Sequence, residues 1–174
     1  WREISFAANE SARFECSLDG AAFAACSSPH RIDGLSEGSH LFEVRAIDAA
    51  GNVGPAASTA WITDLTPPEV TLGAVQPAAG NTNASDYSLE FSSNEPAKFF
   101  CRINDGEAVE CESPFTGHFA VDGQYTIEIV AEDFAGLRSA PVSVTWTVDR
   151  SAPEIHFASL LPSAAEYIAA NRLD

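Results

Sequence analysis

The chain contains an internal repeat with a period of 85 residues. Residues 4–68 align with residues 89–153 without a gap. Cysteine, aromatic and proline residues recur at equivalent positions, including Cys16/Cys101, Cys26/Cys111, Trp61/Trp146 and Pro68/Pro153. Solenoid units run about 20–50 residues, whereas one small β-sandwich domain has roughly 100 residues. The repeat therefore predicts two tandem domains with the same fold.

Short alternating segments in the second repeat predict antiparallel strands. In one of them, valines and Trp146 alternate with Ser143, Thr145 and Thr147, so the apolar side chains share one face. Strands are expected over 69–75, 87–92, 98–103, 107–111, 124–132 and 142–148, with loops over 77–86 and through Pro114 and Gly117. Such short strands between turn residues are typical of an all-β sandwich. We expect four equivalent pairs to be buried: Phe14/Phe99, Trp61/Trp146, Phe42/Ile127 and Val44/Ile129.

The four cysteines have the same spacing in both repeats. Nine residues separate Cys16 from Cys26, and nine separate Cys101 from Cys111. Turn sequences with Asp-Gly lie between them and favour a β-hairpin, which sets each pair nearly opposite. A four-cysteine zinc site would need cysteines two to four residues apart, and that spacing is missing. We therefore predict one disulfide per repeat, and with it an oxidising compartment such as the periplasm, the cell surface or the exterior.

The first repeat resembles a known family. The segments 14–20, 26–29, 38–48 and 50–52 (FECSLDG, CSSP, GSHLFEVRAID and AGN) are similar to bacterial immunoglobulin-like repeats. Such repeats occur in tandem in large secreted and surface proteins. The resemblance implies two immunoglobulin-like (fibronectin type III-like) antiparallel β-sandwiches and an extracellular location, but the fold hosts many roles.

The chain starts inside one repeat and stops inside another. Repeat two, over 67–151, has its own first strand, whereas repeat one, over 1–66, has no counterpart to it. The missing pattern recurs at the other end, since residues 152–157 are similar to residues 67–72. We predict that residues 152–174 contain the first strand of a further repeat, with Ile155, Phe157, Leu160 and Leu161 as the assembly residues.

This strand is expected to complete repeat one of a neighbouring unit by strand addition. Such a head-to-tail contact does not close on itself and propagates a filament. In a longer tandem protein, flanking repeats of the same chain would make the same contact covalently. The alternatives are a floppy tail at a domain boundary, or a helix over 164–171.

Four aspartates are weak calcium candidates. Asp48 and Asp133 begin equivalent turns, and Asp64 and Asp149 stand at the domain junctions. Each has a structural explanation, since an Asp side chain commonly accepts backbone N–H bonds within its own turn. The alternative is a calcium ligand, because calcium takes six to eight oxygen ligands. A calcium site at a junction would use Asp64 or Asp149 together with Glu10 or Glu95. No other cofactor is expected.

Charge and motifs exclude several functions. The net charge of −16, with only nine basic residues, argues against nucleic acid as a partner. No apolar run reaches the roughly 18 residues of a membrane span, so no membrane insertion is expected. The four histidines share no equivalent position, and no catalytic motif occurs, so we expect no enzyme. Asn83 begins a glycosylation sequon, which matters only in a host that glycosylates.

Three functional hypotheses follow. The first is an extracellular structural segment or subunit of a fibre, filament or surface stalk, whose partners are copies of itself or flanking repeats. The second is an adhesin-type binding module within a large surface protein. The third is an accessory domain of an enzyme whose catalytic domain lies elsewhere.

Overall fold

The computed structural model describes residues 1–156, and their regular secondary structure consists of β-strands. Repeat one contains β1 (Arg2–Ile4), β2 (Arg13–Leu18), β3 (Ala24–Cys26), β4 (His30–Ile32), β5 (Gly38–Ile47) and β6 (Ala57–Thr63). Repeat two contains β7 (Val70–Gln76), β8 (Gly80–Thr82), β9 (Asp86–Ser93), β10 (Ala97–Ile103), β11 (Val109–Cys111), β12 (Phe115–His118), β13 (Gly123–Asp133) and β14 (Val142–Val148). Within residues 1–156 there is no helix that could cross a membrane.

Repeat two is a sandwich of two sheets. One sheet has the order β12-β9-β7, and the other has the order β11-β10-β13-β14-β8. Alternation along each strand sends one set of side chains between the sheets. Leu89 from the first sheet and Ile127, Ile129 and Trp146 from the second are fully buried there. The all-β immunoglobulin-like sandwich predicted for this repeat is confirmed.

Repeat one has the same layout with fewer strands. Its sheets have the orders β3-β2-β5-β6 and β1-β4. The pairing Ile4↔His30 in β1-β4 has its equivalent in Leu89↔Phe115 of β9-β12, which is 85 residues further on. Among the described residues, repeat one has no strand equivalent to β7 or to β8. Its buried cluster is accordingly smaller and contains Cys16, Ile32 and Phe42.

The structure corrects two expectations about strands. The predicted loop over 77–86 contains β8, which pairs in parallel with β14. The predicted loop through Pro114 and Gly117 contains β12, which pairs with β9. Both strands are short and show no clear alternation, so their sequences carry no signal. Partner strands with free backbone groups decide their conformation.

The structure also corrects the predicted core. Phe42, Ile127, Ile129 and Trp146 are buried as predicted. Four other members of the pairs, Phe14, Val44, Trp61 and Phe99, are only half-buried. For Trp61 the physical reason is that no strand within residues 1–156 takes the place of those that cover Trp146 in repeat two. An alternating pattern predicts which face a side chain occupies, but the opposing layer decides how much of it is covered.

Candidate functional site

An open sheet edge lies on β1. In repeat two, β9 lies between β12 and β7, and Leu72, Val75 and Gln76 of β7 oppose Phe91, Leu89 and Ser88. In repeat one, β1 pairs with β4 only, and no strand of residues 1–156 occupies its other edge. An exposed edge presents unpaired N–H and C=O groups that can template another strand.

The indole of Trp61 lacks the partner that its equivalent has. Trp146 Nε1 donates a hydrogen bond of 2.9 Å to the backbone oxygen of Pro77, in the segment that joins β7 to β8. Trp61 Nε1 is buried and has no hydrogen-bond partner within the described residues. A buried donor left unpaired costs about 1–3 kcal/mol. Because no segment of residues 1–156 takes the place of β7 and β8 in repeat one, a backbone edge and a side-chain donor are both unsatisfied within the described residues.

The start of β7 shows how a first strand is attached. Pro68 is fully buried. The next residue, Glu69, donates its backbone N–H to Asn94 Oδ1 at 2.8 Å, and Asn94 N donates to the Glu69 oxygen at 3.2 Å. Asn9 is the equivalent of Asn94 in repeat one, and it is exposed. Repeat one therefore contains the asparagine that could form the same two hydrogen bonds with an added strand.

The predicted assembly residues lie mostly beyond the described part of the chain. Ile155 is described and its side chain is 86% exposed. Phe157, Leu160 and Leu161 lie outside the described residues. By the 85-residue offset, Pro153 corresponds to the buried Pro68, yet Pro153 is exposed.

A cluster of three carboxylates lies where the two repeats meet. Asp64 follows β6, Glu95 lies between β9 and β10, and Asp133 ends β13. One carboxylate oxygen from each residue lies within 4.8 Å of the other two. The structure thus brings together two of the four aspartates and one of the two glutamates that the sequence offered as calcium ligands.

The carboxylate of Asp133 is buried and only half satisfied. The residue is 7% exposed. Its Oδ1 accepts backbone N–H bonds from Ala135 at 2.7 Å and Leu137 at 2.9 Å. Its Oδ2 is buried and has no hydrogen-bond partner among residues 1–156. Of the two oxygens, Oδ2 therefore has its full acceptor capacity free.

The equivalent aspartate in repeat one is fully satisfied. Asp48 Oδ1 accepts the backbone N–H of Asn52 at 2.8 Å, and Oδ2 accepts the Asn52 side-chain amide at 2.8 Å. These bonds, with the side-chain amide first, lower the pKa of Asp48. Leu137 occupies the place of Asn52 in repeat two. Because leucine has no donor, this one difference leaves Asp133 Oδ2 unpaired.

Negative charge accumulates around Glu95. Burial, followed by the charges of Asp64, Asp133 and Glu37, raises the pKa of Glu95. Glu37 Oε2 accepts hydrogen bonds from Leu65 N at 2.9 Å and Thr66 Oγ1 at 3.0 Å. The segment between the repeats is therefore tied to repeat one, while the carboxylate of its Asp64 lies close to those of Glu95 and Asp133 in repeat two.

The last calcium candidate, Asp149, has a structural role. Its Oδ1 accepts hydrogen bonds from Ser151 N at 2.9 Å and Ser151 Oγ at 2.5 Å, and these lower its pKa. Like Asp48, it does not belong to the carboxylate cluster. The sequence offered a junctional calcium site that pairs Asp64 or Asp149 with Glu10 or Glu95, and the structure adds Asp133 to Asp64 and Glu95. The departure of Leu137 from the repeat pattern is a further signal in the sequence.

The cysteines lie at bonding distance in the predicted pairs. The sulfur atoms of Cys16 and Cys26 are 2.02 Å apart, and those of Cys101 and Cys111 are 2.03 Å apart. The strands that carry them, β2 with β3 and β10 with β11, pair as antiparallel hairpins. The hairpin geometry therefore accounts for the common spacing.

Comparisons with known proteins find similar folds. No protein-family model matches the chain, and no curated protein matches it. The fibronectin(III)-like modules of CbhA from Clostridium thermocellum share 20% identity, with 89% of this chain and 88% of that chain covered and a TM-score of 0.47. An extracellular domain from B. thetaiotaomicron shares 14% identity over 86% of this chain and 27% of that chain, with a TM-score of 0.40. A Dscam structure shares 14% identity over 80% of this chain and 38% of that chain, with a TM-score of 0.34.

Proposed function

We propose that this chain is an extracellular, non-catalytic structural segment of a fibre, filament or surface stalk. Its units join head to tail, and the strand over 155–161 of one unit completes repeat one of the next. The open edge of β1 carries the proposal, because repeat two fills the equivalent edge with β7. The paired cysteines support an oxidising location.

The pairing of β7 with β9 gives the register of the proposed contact. Leu72 opposes Phe91 and Val75 opposes Leu89. Shifted by 85 residues, Phe157 would oppose Phe6 of the next unit, and Leu160 would oppose Ile4. Backbone hydrogen bonds would then satisfy β1, and the apolar side chains would cover the exposed side of its small core.

The same offset supplies a partner for Trp61. Pro162 corresponds to Pro77, whose backbone oxygen accepts the indole N–H of Trp146. In the proposed contact, the Pro162 oxygen of one unit would accept the N–H of Trp61 in the next. One segment would thereby pair with the open edge of β1 and also accept the indole N–H of Trp61. In a longer tandem protein, a preceding repeat would supply the same strand covalently.

The experiment uses a chain cut back to residue 152 and a synthetic peptide of residues 153–163. Sizing by light scattering should show concentration-dependent assembly of the full chain and a monomer for the shortened one. In a spectrum of the ¹⁵N-labelled shortened chain, the peptide should shift the Trp61 indole signal. The Trp146 indole signal serves as an internal control and should stay in place.

A control peptide with Phe157→Asp and Leu160→Asp keeps the length but loses the apolar contacts, and it should not bind. The proposal is wrong if the shortened chain assembles like the full one. It is equally wrong if the native peptide leaves the Trp61 signal where it was.

An adhesin-type binding module is the second candidate. A groove of about 450 Å³ at the junction is lined by residues that include Trp1, Trp61 and Leu65. Aromatic side chains in a groove are a common basis for ligand recognition. Binding of a host or matrix ligand by a chain that does not assemble would favour this candidate over the structural one.

A further inference from the structure

We propose that Asp64, Glu95 and Asp133 bind one calcium ion, which joins the two repeats at their junction. The first observation is geometric, because an oxygen from each carboxylate lies within 4.8 Å of the other two. Three carboxylates at this separation repel one another unless protons or a cation offset their charge. A cation between them would be held by groups from both sides of the junction.

The second observation is independent of the clustering. Asp133 is buried, and its Oδ2 has no hydrogen-bond partner within the described residues. A buried, unpartnered carboxylate oxygen is costly unless a ligand satisfies it. The fold could satisfy it with a side chain, as Asn52 does for Asp48. In repeat two, Leu137 stands at the position of Asn52, and leucine has no donor that could satisfy Asp133 Oδ2.

The donor set selects the class of ion. All three ligands are carboxylates, and hard oxygen donors of this kind suit calcium and magnesium. Zinc sites instead commonly use cysteine sulfur and histidine nitrogen, which the cluster lacks. Calcium tolerates irregular geometry and completes its six to eight ligands with water and carbonyl oxygens. Magnesium demands a near-ideal octahedron at shorter distances, which three separate elements are less suited to provide.

The position of the ion gives it a mechanical role. Asp64 belongs to the segment that leaves repeat one, whereas Glu95 and Asp133 belong to repeat two. A shared ion would therefore restrict rotation of one repeat against the other. This inference does not rest on strand addition between units, and it holds for a single chain.

The test is calcium titration of the full chain by calorimetry, with melting temperatures measured in calcium and in EGTA. We expect one ion per chain, with a Kd on the order of 10⁻⁴–10⁻³ M as in other extracellular modules. Glu95→Gln and Asp133→Asn should each weaken binding at least tenfold. The matched control is Glu10→Gln, at the equivalent position in repeat one, and it should bind calcium as the native chain does.

Leu137→Asn is the most selective variant, because it keeps all three carboxylates. By analogy with Asn52, it should satisfy Asp133 Oδ2 internally, raise the melting temperature in EGTA and weaken calcium binding. Each variant is checked for folding by its melting temperature in EGTA, which should not fall below that of the native chain. The proposal is overturned if the native chain shows no saturable calcium binding, or if Glu95→Gln binds as tightly as Glu10→Gln.

Discussion

Single positions show how one side chain decides the role of its neighbour. Asp19 and Asn104 are equivalent residues, and both have positive φ angles, of 52° and 51°. Each accepts a backbone N–H through Oδ1, from Leu41 and Thr126 respectively, at 2.8 Å. Only Asp19 has a second partner, because repeat one has His40 where repeat two has a tyrosine. The turn is thus conserved between the repeats while its chemistry differs.

Because of the pair of His40 and Asp19, we expect the stability of repeat one to depend on pH. His40 is buried, and its Nδ1 lies 2.7 Å from Asp19 Oδ2 while its Nε2 lies 2.9 Å from the Ser36 oxygen. The bond to Asp19 first, and then that to Ser36, raise the pKa of His40 above 6.5. The bond to His40 lowers the pKa of Asp19 below 3.8.

The resulting prediction concerns stability against pH. Because His40 binds its proton more tightly when folded, its contribution is complete below about pH 6.5. It is lost as the pH rises through the raised pKa of the folded state. Asp19 contributes above about pH 4, and its contribution is lost as the pH falls further. Melting of repeat one should therefore be highest near pH 5–6 and lower near pH 9.

Asp19→Asn is the matched variant, because Asn104 shows that an amide keeps the turn. It should reduce the difference in melting temperature between about pH 5.5 and pH 9, because the larger of the two bonds that raise the pKa of His40 is lost. A native chain whose repeat one melts equally at both pH values would contradict the assignment. So would an Asp19→Asn variant with an unchanged pH profile.

At the scale of elements, the last strands of the two repeats differ in what covers them. β14 has β13 on one side and β8 on the other, and its Trp146 is fully buried. β6 pairs with β5 and is an edge strand among the described residues. The exposed side chain of Ile62 on β6 is 77% accessible, at the position where β14 has Thr147. The open surface of repeat one thus includes apolar side chains as well as backbone.

This difference predicts unequal costs for the same substitution. Trp146→Ala should destabilise repeat two by about 3–5 kcal/mol, the usual cost of truncating a buried tryptophan. Trp61→Ala should cost repeat one clearly less, because its ring is half-buried and its N–H is unpaired. Urea unfolding, with hydrogen exchange on β5 and β13 to separate the repeats, measures both. Equal costs would mean that repeat one is as well covered as repeat two.

At the scale of the whole molecule, each of the two small cores is accompanied by one disulfide. The ten-residue separation of each cysteine pair closes one short loop per repeat. On the chain-entropy model, such a loop stabilises by roughly 2–3 kcal/mol. That is a large share of the marginal stability of a small domain.

Reduction should therefore destabilise both repeats. Peptide mapping without reduction should recover Cys16–Cys26 and Cys101–Cys111 as two separate cross-linked pairs. Adding a reductant should lower the midpoint of unfolding of each repeat, and repeat one, with the smaller core, should unfold first. Free thiols, or a bond between the repeats, would contradict this prediction.

The repeat by itself determined the architecture of this protein. A gap-free period, alternating strands and equally spaced cysteines depend on local geometry, and local geometry can be inferred from residue order. They predicted the sandwich and the cysteine pairs. The short strands β8 and β12 could not be predicted, because their conformation depends on a partner strand distant in the chain.

Tertiary structure alone decided the chemistry of the junction. Asp64, Glu95 and Asp133 are far apart in sequence, and the sequence offered them as possible calcium ligands without placing the three together. Only the packing of one repeat against the next brings their oxygens within 4.8 Å. Within residues 1–156, Asp133 Oδ2 and Trp61 Nε1 have no hydrogen-bond partner. The sequence could not show this, because it depends on which groups the fold places around each atom. The sequence specifies which polar groups the chain carries. The folded structure decides which of them have a hydrogen-bond partner and which are free to bind a ligand.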